Sequence, residues 1–177
     1  MTEDKIIAKA RKNDRAAQSQ LYAEYKTYWF MLAMRYNRNE ADALDQLQNA
    51  MISIFTKLDQ FDEKRGSFKS WSGRIIINSC LMYLRKRKHE KSVDPADQVY
   101  IENDSASAID MLSAQELMGL VQKLPDGYRT VFNLYVMDGY SHKEIAKLLH
   151  VNEGTSKSQL FKAKKMLREQ LEILYTV

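Results

Sequence analysis

SHKEIAKLLHVNEGTSKSQLFKAKK, residues 141–165, decides the fold of the C-terminal third of this chain. Ser141 and Glu144 stand at capping-box spacing, where each side chain satisfies an orphan backbone N–H of the other's residue. They predict a short helix through Leu149, with Ile145, Ala146, Leu148 and Leu149 as its buried stripe. Ala146 is small where a second helix must cross closely. His150-Val151-Asn152 makes the turn; Val151 points inward and Asn152 caps the next helix. That helix is predicted from Glu153 to about Leu174. Leu160, Ala163, Leu167, Leu171 and Leu174 face the core, and Lys157, Ser158, Lys162 and Lys165 face outward. A short helix, a three-residue turn and a basic second helix form the helix-turn-helix pattern. Its second helix enters the major groove and reads base edges near its N-terminus. A plain helical hairpin with a solvated lysine face shares the periodicity. The coincidence of cap, turn and small crossing residue with concentrated positive charge favours DNA binding.

The charge of the whole chain says the same twice. The formal charge is only +4, a weak sign of an anionic partner by itself. Lys57–Lys91 holds ten Lys/Arg against four Asp/Glu, and His142–Arg168 holds seven against two. His89–Ser113 between them carries six acids and one Lys. Two basic patches separated by an acidic strip imply two nucleic-acid contacts on one chain.

Helical periodicity extends toward the N-terminus. A first helix is predicted from about Glu3 to Asn13 and a second from about Arg15 through Tyr28–Tyr36. The second carries Leu21, Tyr25, Tyr28, Trp29, Leu32 and Tyr36 at three- and four-residue steps. Asn39 is a good N-cap, and the helix it opens runs to about Leu58, with Leu44, Leu47, Met51, Ile54, Phe55 and Leu58 on one face. Asp59–Ser67 is a charged loop with Gly66 as its turn residue. The next helix, about Phe68 to Lys88, is apolar early and ends in Leu84-Arg-Lys-Arg-Lys88. His89–Ser113, with Pro95 and four Ser, reads as a flexible linker. Ser113–Glu116 is a second capping box. Its helix stops near Leu124-Pro-Asp-Gly127, and another spans about Tyr128 to Asp138, ending at Gly139. The fold expected is all-α: two small helical domains, residues 1–90 and 113–177, joined by an acidic linker over 91–112. At 177 residues the length suits one ordinary domain or two small ones.

Other classes find little support. The single Cys, Cys80, sits in an apolar helical stretch and reads as a buried structural thiol. With no disulfide possible within the chain, the cytoplasm is the expected compartment. The polar start, Met1–Lys5, predicts no secretory leader. The longest apolar run, Tyr28–Met34, is far below the ~20 residues of a membrane span. There is no P-loop, no dinucleotide fingerprint, no nucleophile elbow, and no metal spacing among three His and one Cys. No enzyme activity, cofactor or small-molecule substrate is predicted.

Two motif sets carry a resemblance. Leu124-Pro-Asp-Gly-Tyr-Arg-Thr-Val-Phe132, Gly139-Tyr-Ser-His-Lys-Glu-Ile-Ala146 and Glu153-Gly-Thr-Ser-Lys-Ser-Gln-Leu160 resemble the sigma-4 domain of extracytoplasmic-function (ECF) sigma factors. Asp45-Gln-Leu-Gln-Asn49 resembles that family's polymerase-binding segment. Phe68-Lys-Ser-Trp-Ser-Gly-Arg through Arg87 resembles its promoter-melting segment. The sequence departs from the family pattern at Asn49 (usually Glu), Met82 (usually Asp), His150 (usually Gly) and Ser156 (usually Val).

The resemblance implies a promoter-recognition subunit of RNA polymerase. Gly154, Thr155, Lys157, Ser158, Phe161 and Lys162 would meet the −35 element. Lys64, Arg65, Phe68, Trp71, Arg74, Asn78, Arg85, Lys86, Arg87 and Lys88 would meet the −10 element as its strands part, with the 59–67 loop receiving an extruded base. Trp71 has two readings, a stacking platform for that base or a core residue. Asp45, Gln48 and Asn49 would touch the polymerase core. The implied partners are core polymerase, promoter DNA and an anti-sigma protein. The competing reading is a helix-turn-helix regulator whose N-terminal half senses a ligand or dimerises.

Overall fold

The computed structural model describes residues 2–90 and 114–175. All regular structure among the described residues is helical, and the chain divides into two compact units, Met1–Lys88 and His89–Val177. The predicted linker over 91–112 and the Ser113 cap lie outside the described residues.

The first unit contains α1 (Glu3–Arg11), α2 (Arg15–Tyr36), α3 (Glu40–Thr56), two 3-10 turns (Leu58–Gln60 and Glu63–Arg65) and α4 (Phe68–Glu90). Local chemistry sets each boundary. Asn13 takes the left-handed conformation, φ 60°, which Asn tolerates better than most residues. Asp14 then starts α2 by accepting from the Ala16 and Ala17 amides at 2.9 and 3.1 Å. Asn39 caps α3 through the Asp42 amide, 2.8 Å. Ser67 does the same for α4 through the Ser70 amide, 3.2 Å.

Helix α2 is the axis of this unit. Leu21, Trp29, Leu32, Ala33 and Tyr36 are buried along it. Its buried polar groups find partners on α4: Trp29 Nε1 donates to Ser72 Oγ at 3.0 Å, and Asn37 Nδ2 lies 3.5 Å from Cys80 Sγ. Cys80 is buried as expected, and burial pushes its thiol up to about 12.

Helix α3 corrects the sequence reading. Its buried face is Ala43, Gln46, Leu47, Ala50 and Ile54, while Leu44 is 48% and Ile52 64% exposed. The true stripe also steps by three and four, but two of its five residues are alanines. Small residues let helices approach closely, and a pattern weighted toward bulky side chains overlooks them.

The second unit contains α5 (Ala114–Lys123), α6 (Asp126–Phe132) continuing into a π turn (Asn133–Met137), α7 (His142–Leu149) and α8 (Glu153–Tyr175). Helix α6 begins two residues earlier than predicted, because Pro125 serves as its cap residue instead of prolonging the break. Arg129 is completely buried. It donates to the Leu124 carbonyl at 3.0 Å and the Gln122 carbonyl at 3.3 Å, and pairs with Asp126 at 2.7 Å. The cation thus satisfies the last carbonyls of α5, a favourable place for positive charge. Gly139 leaves the π turn with φ 73°, as its C′ position requires.

Helix α4 comes close to α2 at Gly73. A Cβ there would lie 2.6 Å from the Tyr28 hydroxyl oxygen, with Leu32 Cδ2 at 3.4 Å and Tyr28 Cζ at 3.6 Å. Gly73→Ala sets an overpacking loss of about 1–3 kcal/mol at the Tyr28 hydroxyl against about 1 kcal/mol gained in helix propensity, and is predicted to destabilise by the difference. Tyr28→Phe in the same chain should return most of that loss, since it removes the only contact below 3 Å. Thermal unfolding of the two single variants and the double variant measures the coupling. Additive effects would contradict this packing.

Candidate nucleic-acid interface

The helix-turn-helix forms as the caps predict. The Ser141 amide donates to Glu144 Oε2 at 2.8 Å, and the Glu144 amide donates to Ser141 Oγ at 3.3 Å. Helix α7 ends at His150, which is left-handed (φ 54°, ψ 44°); His occupies this region more readily than most side chains. Asn152 Oδ1 then accepts from the Thr155 amide at 2.6 Å and from its hydroxyl at 2.9 Å. The Thr155 hydroxyl is therefore part of the helix start as well as part of the surface.

Along α8, Gly154 and Lys157 are exposed, and Phe161 and Lys162 are half-buried. Lys157 Nζ pairs with Glu153 Oε1 at 2.9 Å, and that pairing lowers the Glu153 pKa. Ser158 corrects the sequence reading. It is buried and donates to the Thr155 carbonyl at 3.0 Å, so it faces the core. The basic face of α8 is instead widened by Lys164, Lys165 and Arg168, all exposed.

Ser156 explains its own departure from the family pattern. It is fully buried, and its Oγ lies 2.9 Å from His142 Nδ1. The His142 ring stacks on Tyr135, centroids 4.4 Å apart. A valine at 156 would bring no partner to that imidazole nitrogen. His142 and Ser156 thus fasten the first helix of the motif to the second. Sequence reading gave each residue a separate role, because the pairing spans fourteen residues and leaves no periodic trace.

The first unit carries the other basic site. The two 3-10 turns and the start of α4 enclose a cavity of about 420 Å³ lined by Gln60, Phe61, Asp62, Arg65, Gly66, Ser67, Ser70, Trp71 and Arg74. The volume falls within the usual range for small-ligand pockets. Gly66, at φ 144°, turns the chain where an L side chain would be strained. Two cations, one carboxylate (Asp62), one indole and several polar groups line a space open to a planar polar ligand such as a nucleotide base. Asn78 is exposed one helical turn beyond Arg74, which is also exposed.

Phe68, expected at the DNA, is buried instead. Its ring lies 5.1 Å from Tyr25, 6.3 Å from Trp29, 5.5 Å from Phe61 and 5.8 Å from Trp71. Trp71 packs on this cluster, as its core reading expects, and being half-buried it also lines the cavity. Lys64 is exposed on the loop but does not line the cavity. Lys86 is exposed, and Arg85 and Arg87 are half-buried; the Lys88 side chain lies outside the described residues. Arg87 Nη1 meets Asp42 Oδ2 at 3.3 Å, and Asp42 also accepts from the Tyr83 hydroxyl at 2.9 Å.

Asp45, Gln48 and Asn49 share an exposed face of α3. Leu44 and Ile52 are exposed on the same face, one turn before and one turn after Gln48. Sequence reading missed both, having assigned Leu44 to the core.

Comparison with known proteins covers both units. The profile of the family described as Sigma-70 region 2 matches residues 21–90, and that of Sigma-70, region 4 matches 114–167. The ECF RNA polymerase sigma factor SigW of Bacillus subtilis is 31% identical over 96% of this chain and 97% of its own length. The ECF RNA polymerase sigma-E factor of Escherichia coli K12 is 27% identical, over 98% and 96%. Among solved structures, the sigma factor RpoE of Bartonella quintana, in complex with the anti-sigma factor NepR, covers 88% of this chain and 96% of its own. It does so at 22% identity and a TM-score of 0.53. CnrH, in complex with the cytosolic domain of CnrY, covers 95% and 96% at 22% identity and a TM-score of 0.51. These two likenesses concern the fold.

The His142 pair gives a pH prediction. Burial, then the nearby Lys157, lower the His142 pKa. The unfolded chain therefore takes up this proton first, and stability is lost as pH falls below about 6.5 toward the lower folded value. Native-state hydrogen exchange at α7 and α8 amides, normalised for intrinsic rates, should show protection falling over that range. In His142→Gln the slope should flatten. Equal slopes in both proteins would show that His142 does not couple the motif to pH.

Proposed function

The chain belongs to the ECF family of RNA polymerase sigma factors, and from that premise we propose how its surfaces divide the work of promoter-directed transcription initiation. The α8 face of the second unit reads the −35 element as duplex. The cavity and the exposed side of α4 receive the −10 element once its strands part. The single observation that carries this division is the cavity: it lies at the start of α4 with Arg74 in its wall and Asn78 exposed one turn further on, and an unpaired base would find there an indole face, two cations and polar edges.

On α8, Lys157 and Lys162 supply base and phosphate contacts, and Gly154 lets the helix start come close to the backbone. Lys157 must exchange Glu153 for DNA, so its net gain is smaller than that of a free cation. Lys164, Lys165 and Arg168 add sequence-independent attraction. In the first unit, Arg65, Trp71, Arg74 and Asn78 meet the opened strand, with Lys64 and Lys86 toward its phosphates. Asp42 holds Arg87, which orients the basic end of α4.

The α3 face binds core polymerase. Its chemistry is mixed: exposed apolar Leu44 and Ile52 flank the polar Asp45, Gln48 and Asn49, a combination of apolar and polar area that protein–protein contacts use. Two further readings extend the family's pattern to this chain. One is an anti-sigma partner, the class of protein bound to the Bartonella quintana factor. The other is action in the cytoplasm, where polymerase works. Among the described residues no helix is long and apolar enough to cross a membrane. Like sigma factors generally, the chain acts by binding and not by catalysis. A ligand-sensing or dimerising N-terminal half is not favoured, since region 2 of the family matches there.

The division of labour has opposite signatures in two variants. Lys157→Ala is expected to weaken duplex −35 binding by about 1–3 kcal/mol if it reads a base, and by less if it touches only phosphate. It should spare transcription from a template already melted at −10. Asn78→Ala should spare duplex binding and reduce promoter opening. Permanganate footprinting of holoenzyme on duplex and pre-melted templates, with mobility shifts on −35 duplex, separates the two. Normal opening by Asn78→Ala, or unchanged duplex affinity in Lys157→Ala, would contradict it.

A further inference from the structure

Arg11, near the end of α1, reaches the wall of the base cavity from outside the segment matched to region 2, residues 21–90. Its Nε donates to the Leu58 carbonyl at 3.2 Å, its Nη2 donates to the Phe61 carbonyl, and its guanidinium carbon stands 5.8 Å from the Phe61 ring centroid. Leu58 opens the first 3-10 turn and Phe61 is its C-cap. One planar cation therefore grips both ends of that turn and lies against the ring between them.

The consequence passes directly to the cavity. At Phe61 the backbone leaves the turn in an extended conformation (φ −69°, ψ 126°) and begins its course around the cavity through Asp62. The Phe61 ring is tilted against Trp71, centroids 5.5 Å apart, and Trp71 is the indole that lines the cavity. Helix α1 is itself anchored by Ile6, Ile7 and Ala10, each buried, so the guanidinium projects from a fixed base. Arginine suits this place because its rigid fork donates to two carbonyls at once while its face stacks on a ring. A lysine ammonium is a point donor and cannot reproduce that geometry.

Resting on the reading of the cavity as the site of an extruded −10 base, we infer that Arg11 is a positioning residue for that base, setting the Leu58–Phe61 wall and through it the angle of Trp71. Arg11 is exposed on the surface, so truncating it removes no core side chain, although the Leu58 and Phe61 it serves are buried. Its loss therefore loosens the wall without unfolding the unit.

The test uses holoenzyme assembled from core polymerase and the full chain, with promoter DNA selected by that holoenzyme from random fragments. Single abasic sites are walked through the non-template −10 strand, and binding of each single strand is measured. At the captured position the wild type should prefer the intact base by roughly five- to a hundredfold, the worth of one stacked base. Arg11→Ala should bring that ratio close to one while leaving the abasic strand's affinity and core binding unchanged and the chain cooperatively folded. Arg11→Lys should recover only a minor part of the ratio. If Arg11→Ala weakens intact and abasic strands equally, its role is merely structural and the inference is overturned. A full wild-type ratio in Arg11→Ala or Arg11→Lys overturns it as well. If the wild type itself shows no position sensitive to base removal, the base-capture reading fails, a result distinct from either of these.

Discussion

The Phe68 ring closes the first unit against four aromatic neighbours, and its burial fixes where the chain can pass next. Tyr25 and Trp29 hold it from α2, Phe61 from the loop and Trp71 from one turn further along α4. Edge-on and tilted aromatic contacts of this kind add to the area they bury, each by about 0.5–1.5 kcal/mol. With Phe68 seated, Trp71 has one flank on the cluster and the other on the cavity. The loop between Leu58 and Ser67 must then arch around that space, which it does with two short turns and a glycine at φ 144°. A surface pocket made of polar loop atoms thus inherits its shape from an apolar core.

The second unit obtains rigidity by a different route. Its recognition helix is placed by hydrogen bonds at element ends: the Ser141–Glu144 box, the Asn152 cap on Thr155, the Arg129 grip on α5, and the His142–Ser156 bond across the motif. All but the His142–Ser156 bond join residues within seven positions of each other. On the outer face of α8, Lys157, Lys164, Lys165 and Arg168 are all exposed. A DNA reader benefits from cations that stand in solvent, because those side chains must leave water for phosphate. Lys157 also makes an exposed pair with Glu153, an interaction weak enough to exchange.

Legibility in the sequence followed the range of the forces. The caps at Asn39, Ser141 and Asn152 are local rules, and all three form where the residues stand. The 59–67 loop and its Gly66 were readable from composition and turn chemistry. What failed depended on partners far along the chain. Phe68 sits beside basic residues and reads as surface until Tyr25 and Trp29, some forty residues earlier, are seen to cover it. Leu44 reads as core because leucine usually is, but Ala43 and Ala50 give α2 a closer fit. Ser158 reads as surface by its place among lysines, and the Thr155 carbonyl one turn back draws it inward. Arg11 left no signal, since its partners are backbone carbonyls about fifty residues away.

A core that shapes a base pocket implies capture of one base at one place. The direct measurement is fluorescence of 2-aminopurine moved singly through the non-template −10 strand in open complexes with the holoenzyme. One position should stand apart, unstacked from its neighbours and sensitive to Trp71→Ala, while the other positions respond only to strand separation. A signal that rises evenly across the bubble and ignores Trp71→Ala would contradict base capture by this cavity.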